Sequence, residues 1–273
     1  MDTIRLGSPL YPPLLAQIPN PPKQLWIKGD LAICDKTAVA IVGARAASRE
    51  GRAIASTIAA DLARAGIIVV SGLARGIDAA AHEGALEGGG RTIAVLGTGI
   101  DVVYPAENKD LSARISLCGA LVTEFSLGTE PRVAHFPSRN RIISGLSRAV
   151  VVIEAAEKSG SLITAREAAD QGRDVMAVPG SVANGRHWGC HSLLRDGAKL
   201  VESAVDILQE LGIPTGPAEL RSSPEVVEFT VDDVAGELKL APGEALARLL
   251  EWELTGQIQR VGSGRFVRSR SKV

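Results

Sequence analysis

From residue 38 onward, short runs of β-branched residues alternate with alanine-rich stretches of helical spacing. The runs are A-V-A-I-V-G (38 to 43), I-I-V-V-S-G (67 to 72), T-I-A-V-L-G (92 to 97), A-L-V-T-E (120 to 124), A-V-V-V-I-E-A (149 to 155), V-M-A-V-P-G (175 to 180) and A-K-L-V (198 to 201). Several are apolar at successive positions, so both faces of the strand must be covered. That pattern belongs to a parallel sheet with helices on both sides, a doubly wound α/β domain. Between the first two runs, Ile54, Ile58 and Leu62 recur every four residues within Ser48 to Ala65, and Gly66 follows as a helix stop. Four runs end in glycine, at Gly43, Gly72, Gly97 and Gly180. In such sheets ligands bind beyond the carboxyl ends of the strands, where glycine admits close approach and helix N-termini point at the ligand.

With 273 residues, 45% of them hydrophobic, the chain has material for one large core and a small satellite. Residues 1 to 37 hold six prolines and are expected to form an extended strap lying on the core domain of 38 to 211. Proline and glycine without apolar periodicity mark 212 to 226 as a linker. In 227 to 273, Thr230-Val231-Asp232-Asp233 has the form of a helix N-cap. A second helix opens at Pro242 with Leu246, Leu249, Leu250 and Leu254 on one stripe and stops at Gly256; strand-like pieces surround Ile258 and Phe266. This order fits a reduced winged helix. Cys34, Cys118 and Cys190 lie far apart and are read as buried thiols. No run has the length or flanks of a signal or membrane segment, so the expected location is the cytoplasm.

The 30 basic and 31 acidic residues leave a net charge of −1, which confines any polyanion site to a local patch. Aromatic residues make up 3% of the chain, so affinity for a nucleic acid would come mainly from phosphate contacts. Gly43 to Ser48 follows the first strand and joins a glycine turn to Arg45 and the helix-starting Ser48, a combination suited to phosphate. Lys158-Ser159-Gly160-Ser161, with Thr164, offers a second set of donors at the same edge; it is not a Walker loop, and ATP hydrolysis has no support. Residues 131 to 150 carry Arg132, Arg139, Arg141 and Arg148 without one acid, with Phe136 as a candidate stacking ring and Asn140 beside them. Each feature also has a bland reading: a capping turn, a solvated face, a core ring. Ser71, Asp78 and His82 do not amount to a catalytic triad; Asp78 and His82, four apart on a helix, are expected to hydrogen-bond to one another. His187, Cys190 and His191 lack further ligands, so no metal or other cofactor is expected.

Taken in order, V-G-A-R-A-A-S (42 to 48), S-G-L-A-R-G-I-D-A-A-A-H (71 to 82), L-G-T-G-I-D-V-V-Y-P (96 to 105), F-P-S-R-N-R-I-I-S-G-L (136 to 146), S-G-S-L-I-T-A (159 to 165) and A-V-P-G (177 to 180) resemble the DprA (Smf) family of DNA-processing proteins. The resemblance implies a Rossmann-like domain and a protein without enzymatic activity. It implies binding of single-stranded DNA, self-association as a homodimer, and loading of RecA recombinase during natural transformation. The resemblance implies a DNA pocket drawn from Arg45, Arg132, the Phe136 region and the Ser159 to Thr164 loop; with the residues read above, the candidate DNA contacts are Arg45, Ser48, Arg75, Arg132, Phe136, Arg139, Asn140, Arg141, Lys158, Ser159, Gly160, Ser161 and Thr164. The family motif G-x-N-x-L-I-x-x-G-A is altered here, with His191 and Leu194 between Gly189 and Ala198. In the last domain, Glu244, Glu251 and Glu253 outnumber Arg248 on the second helix, a face that disfavours groove reading and suits a protein contact. The alternative reading is a nucleotide-binding enzyme of the lysine-decarboxylase-like phosphoribohydrolase kind, although 159 to 167 lacks its P-G-G-x-G-T-x-x-E motif. A third reading is a scaffold that recruits a protein partner.

Overall fold

The computed structural model describes residues 1–31, 37–214, 229–232, 235, 241–254, 258–262 and 265–268. The chain divides into two compact units, residues 1–221 and 222–273. In the first, nine strands form one sheet in the order β1-β2-β6-β5-β4-β3-β7-β8-β9. These strands are β1 (Asp2–Arg5), β2 (Gln24–Gly29), β3 (Ala38–Val42), β4 (Ile68–Ser71), β5 (Thr92–Val95), β6 (Ala120–Thr123), β7 (Ala149–Val152), β8 (Asp174–Ala177) and β9 (Lys199–Leu200). From β6 through β9 every pairing is parallel. All seven runs read from the sequence are strands of this Rossmann-like sheet.

The strap expected at 1 to 37 is corrected in one respect. Two of its pieces are strands of the main sheet, β1 antiparallel to β2 and β2 antiparallel to β6. Leu25 and Ile27 alternate into the core from β2, and Tyr11 is buried with its hydroxyl donating to the Pro22 carbonyl at 2.7 Å. Burial pushes that phenol up to about 12.

Alternation along each strand sends side chains to two helical layers. Val39, Ile41, Val69 and Val151 pack under α2 (Arg49–Arg64), α3 (Ile77–Glu87) and α8 (Ala204–Glu210). Val42, Val70, Val95 and Val152 pack against α1 (Pro13–Ala16), α5 (His135–Gly145), α6 (Ser161–Asp170) and α7 (Trp188–Arg195). A further helix, α4 (Lys109–Cys118), covers Leu121 and Ala94 through Leu111 and Ile115. The chain lays down β3, β4, β5 and β6 in one direction, then crosses back to place β7 on the other side of β3. The switch point between β3 and β7 is where such sheets usually open a ligand crevice.

In the second unit, β10 (Phe229–Thr230), β11 (Ile258–Gly262) and β12 (Arg265–Arg268) form an antiparallel sheet in the order β10-β12-β11, and a helix spans Pro242–Leu254. Its small core is Ala245, Leu249 and Phe266. The expected leucine stripe is therefore narrower than read: Leu246 and Leu250 are exposed. Thr230 closes β10 and is followed directly by the helical residues Val231 and Asp232, where the N-cap pattern placed a helix start; Asp233, Gly256 and the linker from 215 to 226 lie outside the described residues. The thiols also divide, since Cys190 is buried, with its pKa pushed up to about 11, while Cys118 is exposed; Cys34 lies outside the described residues.

Candidate functional site

Glu154 occupies the switch point. It follows β7 and is 1% exposed. Its carboxylate accepts from the Ser48 amide at 3.1 Å, from the Ser48 hydroxyl at 2.5 Å and from the Arg186 guanidinium at 3.3 Å. The Ser48 hydroxyl in turn caps α2 by accepting from Gly51 N at 2.9 Å. A Cβ on Gly51 would overlap the Glu154 carboxylate. A carboxylate at a helix N-terminus satisfies both the free amides and the positive end of the dipole. The first expected cradle is thus corrected: the protein's own acid fills it, Ser48 is engaged internally, and Arg45 is the group of that loop that still faces outward.

One strand over, the edge is open. The β3 and β4 loops are locked to each other because Gly76, at φ +75°, lies so close that a Cβ would overlap the Ala44 and Arg45 carbonyl oxygens, and Ile77 N donates to Ala44 O at 3.2 Å. This lock fixes the backbone of Arg45, whose guanidinium carbon stands 4.9 Å from the centroid of Phe136. Phe136, in the first turn of α5, rests on Gly97, where a Cβ would come within 3.0 Å of the ring, and lies 5.6 Å from Tyr104. The adjacent His135 stacks on Phe125 at 4.3 Å and donates from Nδ1 to Gly97 O at 3.2 Å. Among the described residues no ion pair engages Arg45, Arg132 or Lys158, and all three are exposed. The first turns of α5, α6 and α7 contain no acid.

Beneath this edge lies a buried polar floor. Arg139 is 3% exposed and donates from Nη1 to the carbonyls of Gly72, at 2.6 Å, and Val95. It fits because Gly72 has no side chain to collide with the guanidinium. Burial draws its pKa down to about 10, with nearby Asp78 opposing the shift, so it stays charged at neutral pH. Asp78 accepts from Gly72 N at 3.1 Å and Ala74 N at 3.4 Å; burial raises its pKa against the pull of Arg139. The expected Asp78–His82 hydrogen bond is corrected by these partners. His82 turns instead to β5: Thr92 Oγ1 donates to Val69 O at 2.7 Å, so His82 Nδ1 must donate to Thr92 Oγ1, also at 2.7 Å. Burial, aided by the charge of Arg139, drives His82 down to about 3.

The acid-free arginine run of 131 to 150 is dispersed in space, and of its four arginines Arg141 has an ion pair among the described residues. Arg141 forms two hydrogen bonds to Glu124 at 2.8 and 2.7 Å, half-buried on the side of Tyr11. Arg148 starts β7 at the opposite end of the sheet and donates to Leu211 O at 3.4 Å. Arg75 is on the open edge, exposed, and pairs with Glu107 at 2.9 Å. Asn140 is half-buried in α5. In the second loop, Lys158 and Gly160 are exposed and Ser159 bonds Ser161 hydroxyl to hydroxyl at 2.7 Å, whereas Ser161 and Thr164 are buried. The structure therefore gathers Arg45 and Phe136 tightly, keeps Arg75, Arg132, Lys158, Ser159 and Gly160 at the surface, and folds Ser48, Arg139, Arg141, Ser161 and Thr164 into the framework. Tyr104, 43% exposed, was missed from the sequence although it closes the L-G-T-G-I-D-V-V-Y-P motif. Glu154 was missed too; an acid ending a strand apolar on both faces was its only signal. No group of three or more possible metal-ligating residues occurs among the described residues.

A doubly wound sheet whose switch point is closed by its own carboxylate, with an arginine laid over an aromatic ring beside it, defines a Rossmann-like protein with a cationic and aromatic carboxyl edge. Residues 2–212 match the family model of DNA recombination-mediator protein A, and the chain belongs to that family. It is 48% identical over 200 residues to DNA processing protein DprA of Streptococcus pneumoniae, covering 73% of this chain and 71% of that one. It is 40% identical over 289 aligned residues to protein Smf of Escherichia coli, covering 98% and 77%. The solved DprA structure from Streptococcus pneumoniae superposes with a TM-score of 0.75 at 44% identity, over 79% of this chain and 75% of that one. A structure of DNA processing protein A from Helicobacter pylori, reported for its single-stranded DNA binding mode, superposes at 0.69 with 29% identity, over 77% and 96%.

Proposed function

We propose that this chain is a single-stranded DNA binding protein that carries out no covalent chemistry and grips the strand along the carboxyl edge of its sheet without reading sequence. The observation that carries this is the exposed Arg45 guanidinium held over Phe136 between two locked loops, with no ion pair of its own among the described residues. A guanidinium and a ring together serve a nucleotide unit: the cation meets phosphate and the aromatic faces meet a base. Arg75, Arg132 and Lys158 extend the positive surface from neighbouring loops, and the acid-free first turns of α5, α6 and α7 favour anions. The single-stranded DNA binding mode described for the Helicobacter pylori relative supports the same reading.

In the cell, the proposal includes DNA processing in natural transformation, protection of incoming strands, homodimerisation and delivery of RecA recombinase, in the cytoplasm. Its support is membership of the family. No helix among the described residues is long and apolar enough to cross a membrane.

The test is equilibrium binding of an oligothymidylate by fluorescence anisotropy at several salt concentrations. The logarithm of the association constant is expected to fall with log salt at a slope of about 0.7 per contacted phosphate. Arg45→Glu is expected to weaken binding by about tenfold or more for every sequence tried, with a shallower salt slope. Wild-type affinity in that variant rejects the site.

A further inference from the structure

Beyond β8 the chain forms a second exposed aromatic feature that the Arg45 centre does not include. Trp188, the first residue of α7, is 52% exposed. Its orientation is fixed, because the indole Nε1–H donates to Val182 O at 3.3 Å. Gly185, at φ +71°, backs one face of the ring: a Cβ there would stand 3.8 to 4.0 Å from three ring atoms at once. Trp188 also lines a cleft of about 330 Å³, together with Glu157, Val182, His191, Ser192 and Arg195. That is at the lower end of volumes that enclose a small organic group. A pinned, half-exposed indole is poor use of a large apolar ring unless something covers it.

The surroundings select the occupant. Exposed Arg195 lines the cleft, exposed Lys158 adjoins its wall, and His191 is held by donating to Gly180 O at 3.0 Å. Glu157 lies on the wall itself, which excludes a phosphate from the interior and suits the donor edge of a base, since carboxylates accept from exocyclic amines. The chemistry is that of a nucleotide: an aromatic face for the base, an acceptor for its edge, cations outside for its phosphates. The cleft also adjoins the proposed path. Gly189 N donates to Ala155 O at 2.8 Å, so the first turn of α7 is hydrogen-bonded to the loop that carries Glu157, Lys158 and Ser159. The strand order β5-β4-β3-β7-β8 sets Gly97, which follows β5 and on which Phe136 rests, four strand spacings from the end of β8, about 19 Å along the edge.

We propose that the Trp188 cleft is a second docking point for the same DNA strand, in which one base stacks on the free face of the indole while Arg195 and Lys158 meet the flanking phosphates. It rests on the reading of the carboxyl edge as a single-strand DNA path and assigns that path its far end. A strand too short to span both points gains nothing from the cleft; a longer one gains a stacked base.

The experiment measures binding of two oligodeoxycytidylates, about 5 and about 15 nucleotides long, to the full chain and to Trp188→Ala, Trp188→Phe and Arg45→Glu. Trp188→Ala is expected to lose about tenfold in affinity for the long oligonucleotide, the worth of one stacked base. It is expected to keep wild-type affinity for the short one, and Trp188→Phe is expected to recover most of the loss. Indole fluorescence is expected to be quenched by the long oligonucleotide in the wild type and unquenched in Trp188→Phe. Unchanged affinity of Trp188→Ala for the long oligonucleotide, or equal loss for both lengths, overturns the cleft while Arg45→Glu still weakens both. If Arg45→Glu binds both like the wild type, the parent reading fails instead.

Discussion

The two crevices at the carboxyl edge differ in who supplies the negative charge. Between β3 and β7 the protein supplies it: Glu154 is buried against the α2 terminus and closed over by Arg186. Over β3 to β5 no acid is paired with Arg45 among the described residues, and its guanidinium lies exposed on Phe136, while the nearby Arg75 is paired with Glu107. Both regions use the same local ingredients, a glycine turn, a helix start and an arginine. One is framework and the other is surface because a single acid stands at the end of β7 and none stands at the end of β5. A helix N-terminus in a sequence is therefore not a ligand site until its partner strand has been identified.

The largest expected effect sharpens the contrast beneath the open region. His82 is neutral in the folded protein, with its pKa driven from 6.5 to about 3, so between these values the unfolded chain binds more protons. This stabilising contribution is complete above pH 6.5 and is lost as pH falls towards 3, amounting to roughly 5 kcal/mol. Asp78, raised by burial, acts with the opposite sign at low pH. The measurement is the difference in urea unfolding between wild type and His82→Asn across this window, and the variant is expected to have the flatter profile. The next effect tests the closed crevice. Glu154→Ala leaves Ser48 and Arg186 without their acceptor and is expected to cost about 3 kcal/mol in the same assay, whereas Arg45→Ala shifts stability by less than ~0.5 kcal/mol. Equal effects of the two would erase the distinction drawn between framework and surface. The smallest effect belongs to Arg75, whose ion pair with Glu107 is exposed and screened by solvent. Arg75→Ala is expected to leave the thermal midpoint unchanged and to soften only the salt dependence of DNA binding.

The sheet was legible because Val39 to Val42 and Val150 to Val152 are buried on both faces, a pattern that no other element type produces so briefly. β2 was hidden among prolines, although Leu25 and Ile27 stand two apart on one buried face with Gln24, Trp26 and Lys28 on the other. The arginine run misled for a geometric reason. Residues 139 and 141 are about 200° apart on a helix, so one points into the floor and the other towards Glu124. The carboxylates near them, Asp78 beside Arg139 and Glu124 paired with Arg141, come from other motifs, and linear charge counting over 131 to 150 cannot see them. Arg45 and Phe136 were readable as a cation and a ring, but only folding brings them together across 91 positions.

The ends of the sheet also bear on the molecule's behaviour at high concentration. Nine strands in one layer would present two long rows of unsatisfied amides and carbonyls to any other chain, an invitation to aggregate. Here β9 offers two residues, one of them Lys199, and at the far side the antiparallel β1–β2 pair covers β6 and leaves four residues flanked by Asp2 and Arg5. Borders this short and this charged leave neighbouring copies, however crowded, little backbone with which to zip together.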